Sequence, residues 1–142
     1  MIYLKPIFLL AIFALTACSS NQSQYIVPGV SLNKTDKYYV IRDNGDERNL
    51  DNLIVEALSD RGYTVSSGPK IDIPENINYL IYYGSQWQWD MTWYLLDFDL
   101  RVHTYTDNLF VASSNSWQTS LARKPHKEVI STAVDQLFIT NH

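Results

Sequence analysis

Residues 93–106, WYLLDFDLRVHTYT, carry the pattern that decides the fold. Leu96, Phe98, Leu100 and Val102 point one way along this run, and Asp97, Asp99, Arg101 and His103 point the other. Period-two alternation marks a β-strand with one buried and one wet face. Asp107-Asn108 then makes a turn, and residues 109–117 return as a second strand, so 93–117 predicts a hairpin. Upstream, residues 78–89, NYLIYYGSQWQW, read as another long strand. Gly84 inside it marks a bulge or a close approach of another group.

Working outward, Tyr38-Tyr39-Val40-Ile41-Arg42 is a strand that ends at the turn Asp43-Asn44-Gly45. Leu50, Leu53, Ile54, Ala57 and Leu58 follow at helical spacing. Asp46 is placed to cap that helix and Gly62 to stop it, which predicts a helix over 47–61. Residues 63–66 form a short strand, and Pro74 keeps the next segment out of a sheet centre. After Pro125, which suits the first turn of a helix, Val129, Ile130, Ala133, Val134, Leu137 and Phe138 form a second apolar stripe. The order is β-α-β-β-β-β-α. Both amphipathic helices need an apolar surface, and one face of a single sheet supplies it. The expected fold is α+β: a two-layer sandwich, with a mainly antiparallel sheet of four to five strands and both helices on one face.

The N-terminus carries a different message. Lys5 precedes an apolar run, Ile7 to Ala14, far shorter than the ~20 residues that span a bilayer. Leu15-Thr16-Ala17-Cys18 follows, and then a polar stretch. A charged start, a short apolar core and small residues describe an export signal. Leu15-Thr16-Ala17-Cys18 resembles the lipobox of bacterial lipoproteins. That resemblance implies cleavage before Cys18 and a covalent lipid on its sulfur and new amino group. Two or more acyl chains hold a protein on a membrane where one does not. For a Gram-negative cell the same resemblance implies that Ser19 after the cysteine favours transfer to the periplasmic face of the outer membrane. The expected organisation is a removed signal at 1–17, a lipidated cysteine with a flexible tether at 18–33, and one globular domain at 34–142.

Composition narrows the remaining classes. The chain carries 11 Lys and Arg against 15 Asp and Glu, and loss of the signal removes only Lys5. A mildly acidic chain lacks the basic stripe that nucleic acid requires. Cys18 is the only cysteine, so no disulfide forms within the chain and no cysteine-ligated metal is expected. The element order resembles small periplasmic domains: the N-terminal domain of the Tol–Pal propeller protein, the lipopolysaccharide-assembly lipoprotein, the globular part of the curli-secretion lipoprotein, and uncharacterised lipoprotein families. Trp89-Asp90, Tyr94-Leu95 and the run from Asp99 to Tyr105 resemble one such uncharacterised family. The resemblance implies binding roles in envelope assembly or maintenance and no catalytic residue.

No nucleophile elbow and no phosphate-binding glycine loop is present. Asp97 and Asp99 have a spacing compatible with the carboxylate pair of a glycosidase, about 6–7 Å on a strand. With His103 they form a candidate metal set, but residues four apart on a strand stand about 13 Å apart, which favours a solvated face with ion pairs. The anomaly is aromatic. Tyr79, Tyr82, Tyr83, Trp87, Trp89, Trp93, Tyr94 and Trp117 crowd one half of the domain. Aromatics fill strands and cores, yet exposed Trp and Tyr anchor interfaces. Tyr83, Trp87, Trp89 and Trp93 are the candidate partner-binding residues. The expected function is a non-catalytic, lipid-anchored envelope protein that binds a partner protein and needs no cofactor beyond the lipid on Cys18. The alternative is a glycan- or lipid-binding module with an aromatic platform, and a hydrolase ranks below both.

Overall fold

The computed structural model describes residues 20–139. The lipobox-like stretch and Cys18 lie outside the described residues. Six strands and two helices follow in order: β1 (Asn21–Ile26), β2 (Lys37–Ile41), α1 (Leu50–Asp60), β3 (Thr64–Gly68), β4 (Tyr79–Asp90), β5 (Thr92–Thr104), β6 (Phe110–Trp117) and α2 (His126–Phe138). They build one sheet in the order β1-β6-β5-β4-β2-β3. β2 pairs parallel with both β3 and β4, and the remaining pairs are antiparallel. The fold is α+β as the patterning implies, but the sheet has six strands rather than four to five, and it is mixed.

The extra strand is β1, in the stretch the sequence reading assigns to a flexible tether. Asn21–Ile26 adds to the free edge of β6, with Gln22 opposite Ser116 and Ile26 opposite Ala112. Polar side chains suit an edge strand, whose affinity comes from main-chain hydrogen bonds. A run of Asn, Gln and Ser carries no alternation, so only the open β6 edge reveals it as a strand.

Both helices pack on one face. Leu50, Ile54 and Leu58 of α1 and Val129, Ile130, Val134, Leu137 and Phe138 of α2 share a core with Tyr38, Val40, Ile81, Tyr83, Phe98, Leu100 and Val102. Tyr38, Tyr63 and Phe138 meet edge-on at 5.0–5.8 Å between ring centroids. β2 is buried on both sides. Its other face, Tyr39 and Ile41, packs with Ile77 and Leu80 in a second, smaller cluster. Continuous burial of this kind is what a strand with parallel neighbours on both sides demands.

The helix over 47–61 begins later than its pattern implies, at Leu50. Asn49 adopts a left-handed conformation (φ 55) and ends the preceding turn. Asp46 still does the capping. Its carboxylate accepts from the backbone of Arg48 at 2.9 Å and of Leu50 at 2.6 Å. That satisfies a helix N–H that has no partner within the helix.

The alternation in 93–106 needs one amendment. Between Gln86–Asp97 and Trp87–Leu95 the register slips by one residue, leaving Leu96 unpaired on β5. The bulge reverses the faces on its N-terminal side. Leu95, not Leu96, therefore enters the core beside Phe98. Gly84 lies outside this bulge and serves a close approach: a β-carbon there would collide with the Asp99 carboxylate. A β-carbon on Gly68 would collide with the Tyr39 hydroxyl.

These two glycines make a paired test. Asp99 is partly exposed, at the end of an ion pair with Arg101 that can re-form at the surface, whereas Tyr39 is buried and donates to the carbonyl of Pro69 at 3.1 Å. Gly68→Ala is expected to destabilise the fold by about 1–3 kcal/mol through overpacking. Gly84→Ala is expected to cost less, and urea unfolding of the two variants measures the difference.

A second test uses alkali. Burial pushes the hydroxyls of Tyr38 and Tyr83 well above the ordinary tyrosine range, with Asp36 adding to the shift at Tyr38 and Asp46 at Tyr83. The native state thus keeps protons that the unfolded chain releases. Their contribution to stability is complete below about pH 10 and is lost as pH rises beyond it. Tyr38→Phe and Tyr83→Phe are each expected to flatten the alkaline decline in unfolding midpoint.

Candidate functional site

β4 and β5 are longer than the strands beside them. β4 pairs with β2 only over Tyr79–Ile81, and β6 ends with Trp117 opposite Asp97. From there to the turn at Met91, the hairpin extends past the last residues of both neighbouring strands. Trp87 faces Leu95 across the pair, and Trp89 faces Trp93.

The four aromatic candidates divide along this hairpin. Tyr83 is a core residue, only 5% exposed. Its hydroxyl donates to Asp46 at 2.8 Å and accepts from the Asp43 backbone at 3.2 Å. It thus joins β4 to the capping residue of α1 and is unavailable to a partner, contrary to the sequence reading. Trp87 is partly buried. The Arg48 guanidinium lies 3.8 Å from its ring centroid, and the His126 ring meets it at 5.5 Å. Trp89 and Trp93 are 59% and 58% exposed and pack edge-to-face at 5.8 Å. Met91 at the tip is 84% exposed with φ 62. A bulky residue rarely adopts that conformation outside tight turns.

One physical cause sorts them. The bulge leaves β4 in register, so Tyr83, Trp87 and Trp89 share the face that carries the helices. α1 and α2 cover that face at Tyr83. α2 begins at His126, beside Trp87, and the loop before α1 supplies Arg48 over the same ring. Trp89 and Trp93 lie beyond this cover. The result is a wet patch of two tryptophans and a methionine, with one further tryptophan clamped beneath.

Beside the patch is a recess of about 300 Å³ lined by Trp87, Trp93, Tyr94, Arg123, Lys124 and His126. Arg123 donates to the Asp90 carbonyl at 2.9 Å and lies over the Tyr94 ring at 5.3 Å, tying the loop before α2 to the hairpin. Met91 and Arg123 are contributors that sequence reasoning misses. Met91 had a signal, as the apex between two tryptophans, whereas Arg123 lies some 30 residues away in sequence and carries none.

The polar residues singled out in the sequence are engaged elsewhere. Asp99 pairs with Arg101 at 2.8 Å, and Asp97 accepts from Asn115 at 2.6 Å. His103 contacts the Asn108 carbonyl at 3.1 Å and lies edge-on to Tyr82 and Phe110. Among the described residues no three His, Cys, Asp or Glu side chains are grouped to hold an ion. Among the described residues no helix is long and apolar enough to cross a membrane.

No family model matches the chain, and no curated protein matches its sequence. Solved structures do match its fold. The chain is similar to PelC from Paraburkholderia phytofirmans, solved as a dodecamer, at 16% identity and a TM-score of 0.65 over 84% of this chain and 98% of that one. A point variant of the same protein matches equally. TolB from Acinetobacter baumannii overlaps more loosely, with a TM-score of 0.44 at 13% identity over 84% of this chain and 31% of that one. A minor lipoprotein from the same organism has a TM-score of 0.38 at 14% identity over 71% and 86%. The likeness to PelC is one of fold.

If the tip is surface rather than core, its stability cost is small. Trp89→Ala and Trp93→Ala are each expected to cost less than about 1 kcal/mol, the worth of one edge-to-face pair. Leu95→Ala, on the strand that carries Trp93 but inside the core, is expected to cost about 2–5 kcal/mol. Chemical denaturation of the three variants checks the contrast.

Proposed function

We propose that this chain is a non-catalytic, lipid-anchored protein of the bacterial envelope that binds a partner protein through the tip of the β4–β5 hairpin. One observation carries the reading: Trp89, Met91 and Trp93 stand in solvent at the end of a hairpin whose core is complete without them. Exposed tryptophan is the residue type most enriched at interface hot spots, and contiguous apolar patches on a monomer mark binding sites. The rigid strands hold the patch in place, so little entropy is lost on docking.

The lipobox at Leu15–Cys18 supports the anchor, and Ser19 supports the periplasmic face of the outer membrane. The fold shared with a protein solved as a dodecamer makes a second copy of this chain one candidate partner. The recess beside Trp93 and Tyr94 favours the second reading, a small glycan stacked on aromatic walls.

A photo-crosslinking residue placed singly at Trp89 and at Trp93, in lipidated protein in living cells, tests the proposal. A discrete adduct at either position is expected, and none at the buried Tyr83 position. An adduct at twice the chain mass would identify a second copy as the partner. Absence of any adduct at both tip positions, with the protein folded and localised, would overturn the reading. A tryptophan fluorescence shift with peptidoglycan fragments would then support the glycan alternative.

A further inference from the structure

A larger cavity, of about 520 Å³, lies away from the hairpin tip, where the end of β2, the turn at 69–71 and the middle of β4–β5 meet. Its walls include Arg42, Lys70 and Arg101, brought from three separate elements, with Asp43 as the only carboxylate among the lining residues. Convergence of three cations on one cavity is notable in a chain of formal net charge −4. Their mutual repulsion is offset from behind, because Arg42 is paired with Asp51 and Arg101 with Asp99.

Two of the three are held from behind. The Arg42 Nε contacts Asp51 at 2.9 Å, and the Arg101 Nε contacts Asp99 at 2.8 Å. Asp51 is fully buried, so Arg42 is fixed at its base. In both pairs the contact engages Nε, which leaves the terminal nitrogens of the fork for another acceptor. The two side chains remain 46% and 48% exposed. Lys70 is exposed and makes no ion pair among the described residues. Asp43 is occupied internally, accepting from the Gly45 backbone at 3.1 Å. Tyr82 and Ile71 add apolar wall beside the charges.

We infer that this cavity binds a phosphomonoester, with Arg42, Lys70 and Arg101 on the phosphate oxygens and Tyr82 and Ile71 against the organic group it carries. Two guanidinium forks and an ammonium offer more donors than a carboxylate can accept, and the three terminal oxygens of a phosphomonoester match them. The volume falls within the range of small-ligand pockets. The site is separate from the hairpin tip and does not depend on the partner-binding reading. The same chemistry is presented by a soluble sugar or glycerol phosphate and by a phosphomonoester lipid headgroup.

Calorimetric titration of the lipidated protein reconstituted in detergent-free nanodiscs, with glycerol 3-phosphate, with inorganic phosphate, and with vesicles containing phosphatidic acid, tests the assignment. Glycerol 3-phosphate is expected to bind, more weakly as salt is raised. Lys70→Glu and Arg101→Gln, both at exposed positions, are each expected to weaken binding about tenfold or more, the scale of one charge-assisted contact. Preference for vesicles over glycerol 3-phosphate would identify a lipid source, and equal binding of inorganic phosphate would overturn the assignment of Tyr82 and Ile71 to an organic group. Trp89→Ala is expected to leave all three titrations unchanged, which separates this site from the hairpin tip. Absence of binding by every probe, or binding unaffected by both charge variants, would overturn the inference.

Discussion

The antiparallel pairing of β4 with β5 is the constraint on which the rest of the structure depends. It runs from Tyr79–Thr104 to Asp90–Thr92 and continues past the last residues of both neighbouring strands. Near its middle it supplies the floor on which both helices pack, through Ile81, Tyr83, Phe98, Leu100 and Val102. Near its end it carries the exposed tryptophans. The bulge at Leu96 connects these two roles. Without the extra residue, Leu96 would take the core position that Leu95 fills, and Trp93 would turn away from Trp89. A one-residue slip exchanges the two faces of a strand.

A polar chain fastens α1 to this floor. Asp46 accepts from two backbone amides at the start of α1 and from the Tyr83 hydroxyl. One turn further on, the buried Asp51 takes the Arg42 guanidinium at the end of β2. Hydrogen bonding to Asp51 and its charge raise the Arg42 pKa above the usual arginine value. Both carboxylates sit at the N-terminal end of the helix, where its dipole favours negative charge. The same bonds aim Arg42 at the basic cavity and bring Arg48 over Trp87. The loop between β2 and α1 therefore shapes both surfaces proposed to bind.

Much of this architecture is legible in the residues themselves. The two apolar stripes, the alternation after Leu96 and the turn at Asp107-Asn108 each depend on local periodicity, which a sequence displays directly. Asp46 as a capping residue is legible for the same reason. β1 is not, because its polar residues form a strand only when the edge of β6 is open to them. The burial of Tyr83 is not legible either, because aromatic content and parity show which residues share a face, not how far along that face the helices reach.

By itself the sequence determined an α+β domain with two amphipathic helices, a stretch at Leu15-Thr16-Ala17-Cys18 that resembles a lipobox, and a concentration of aromatics between Tyr79 and Trp117. All of these follow from neighbours along the chain. The tertiary structure alone decided that Tyr83 is buried, Trp87 clamped and Trp89 and Trp93 left wet. It also decided that Arg42, Lys70 and Arg101 face one cavity. Burial and convergence are set by which distant elements end where, here the start of α2 at His126 and the early ends of β2 and β6. The lengths of elements that meet only in space are not encoded in the spacing of residues on any one of them.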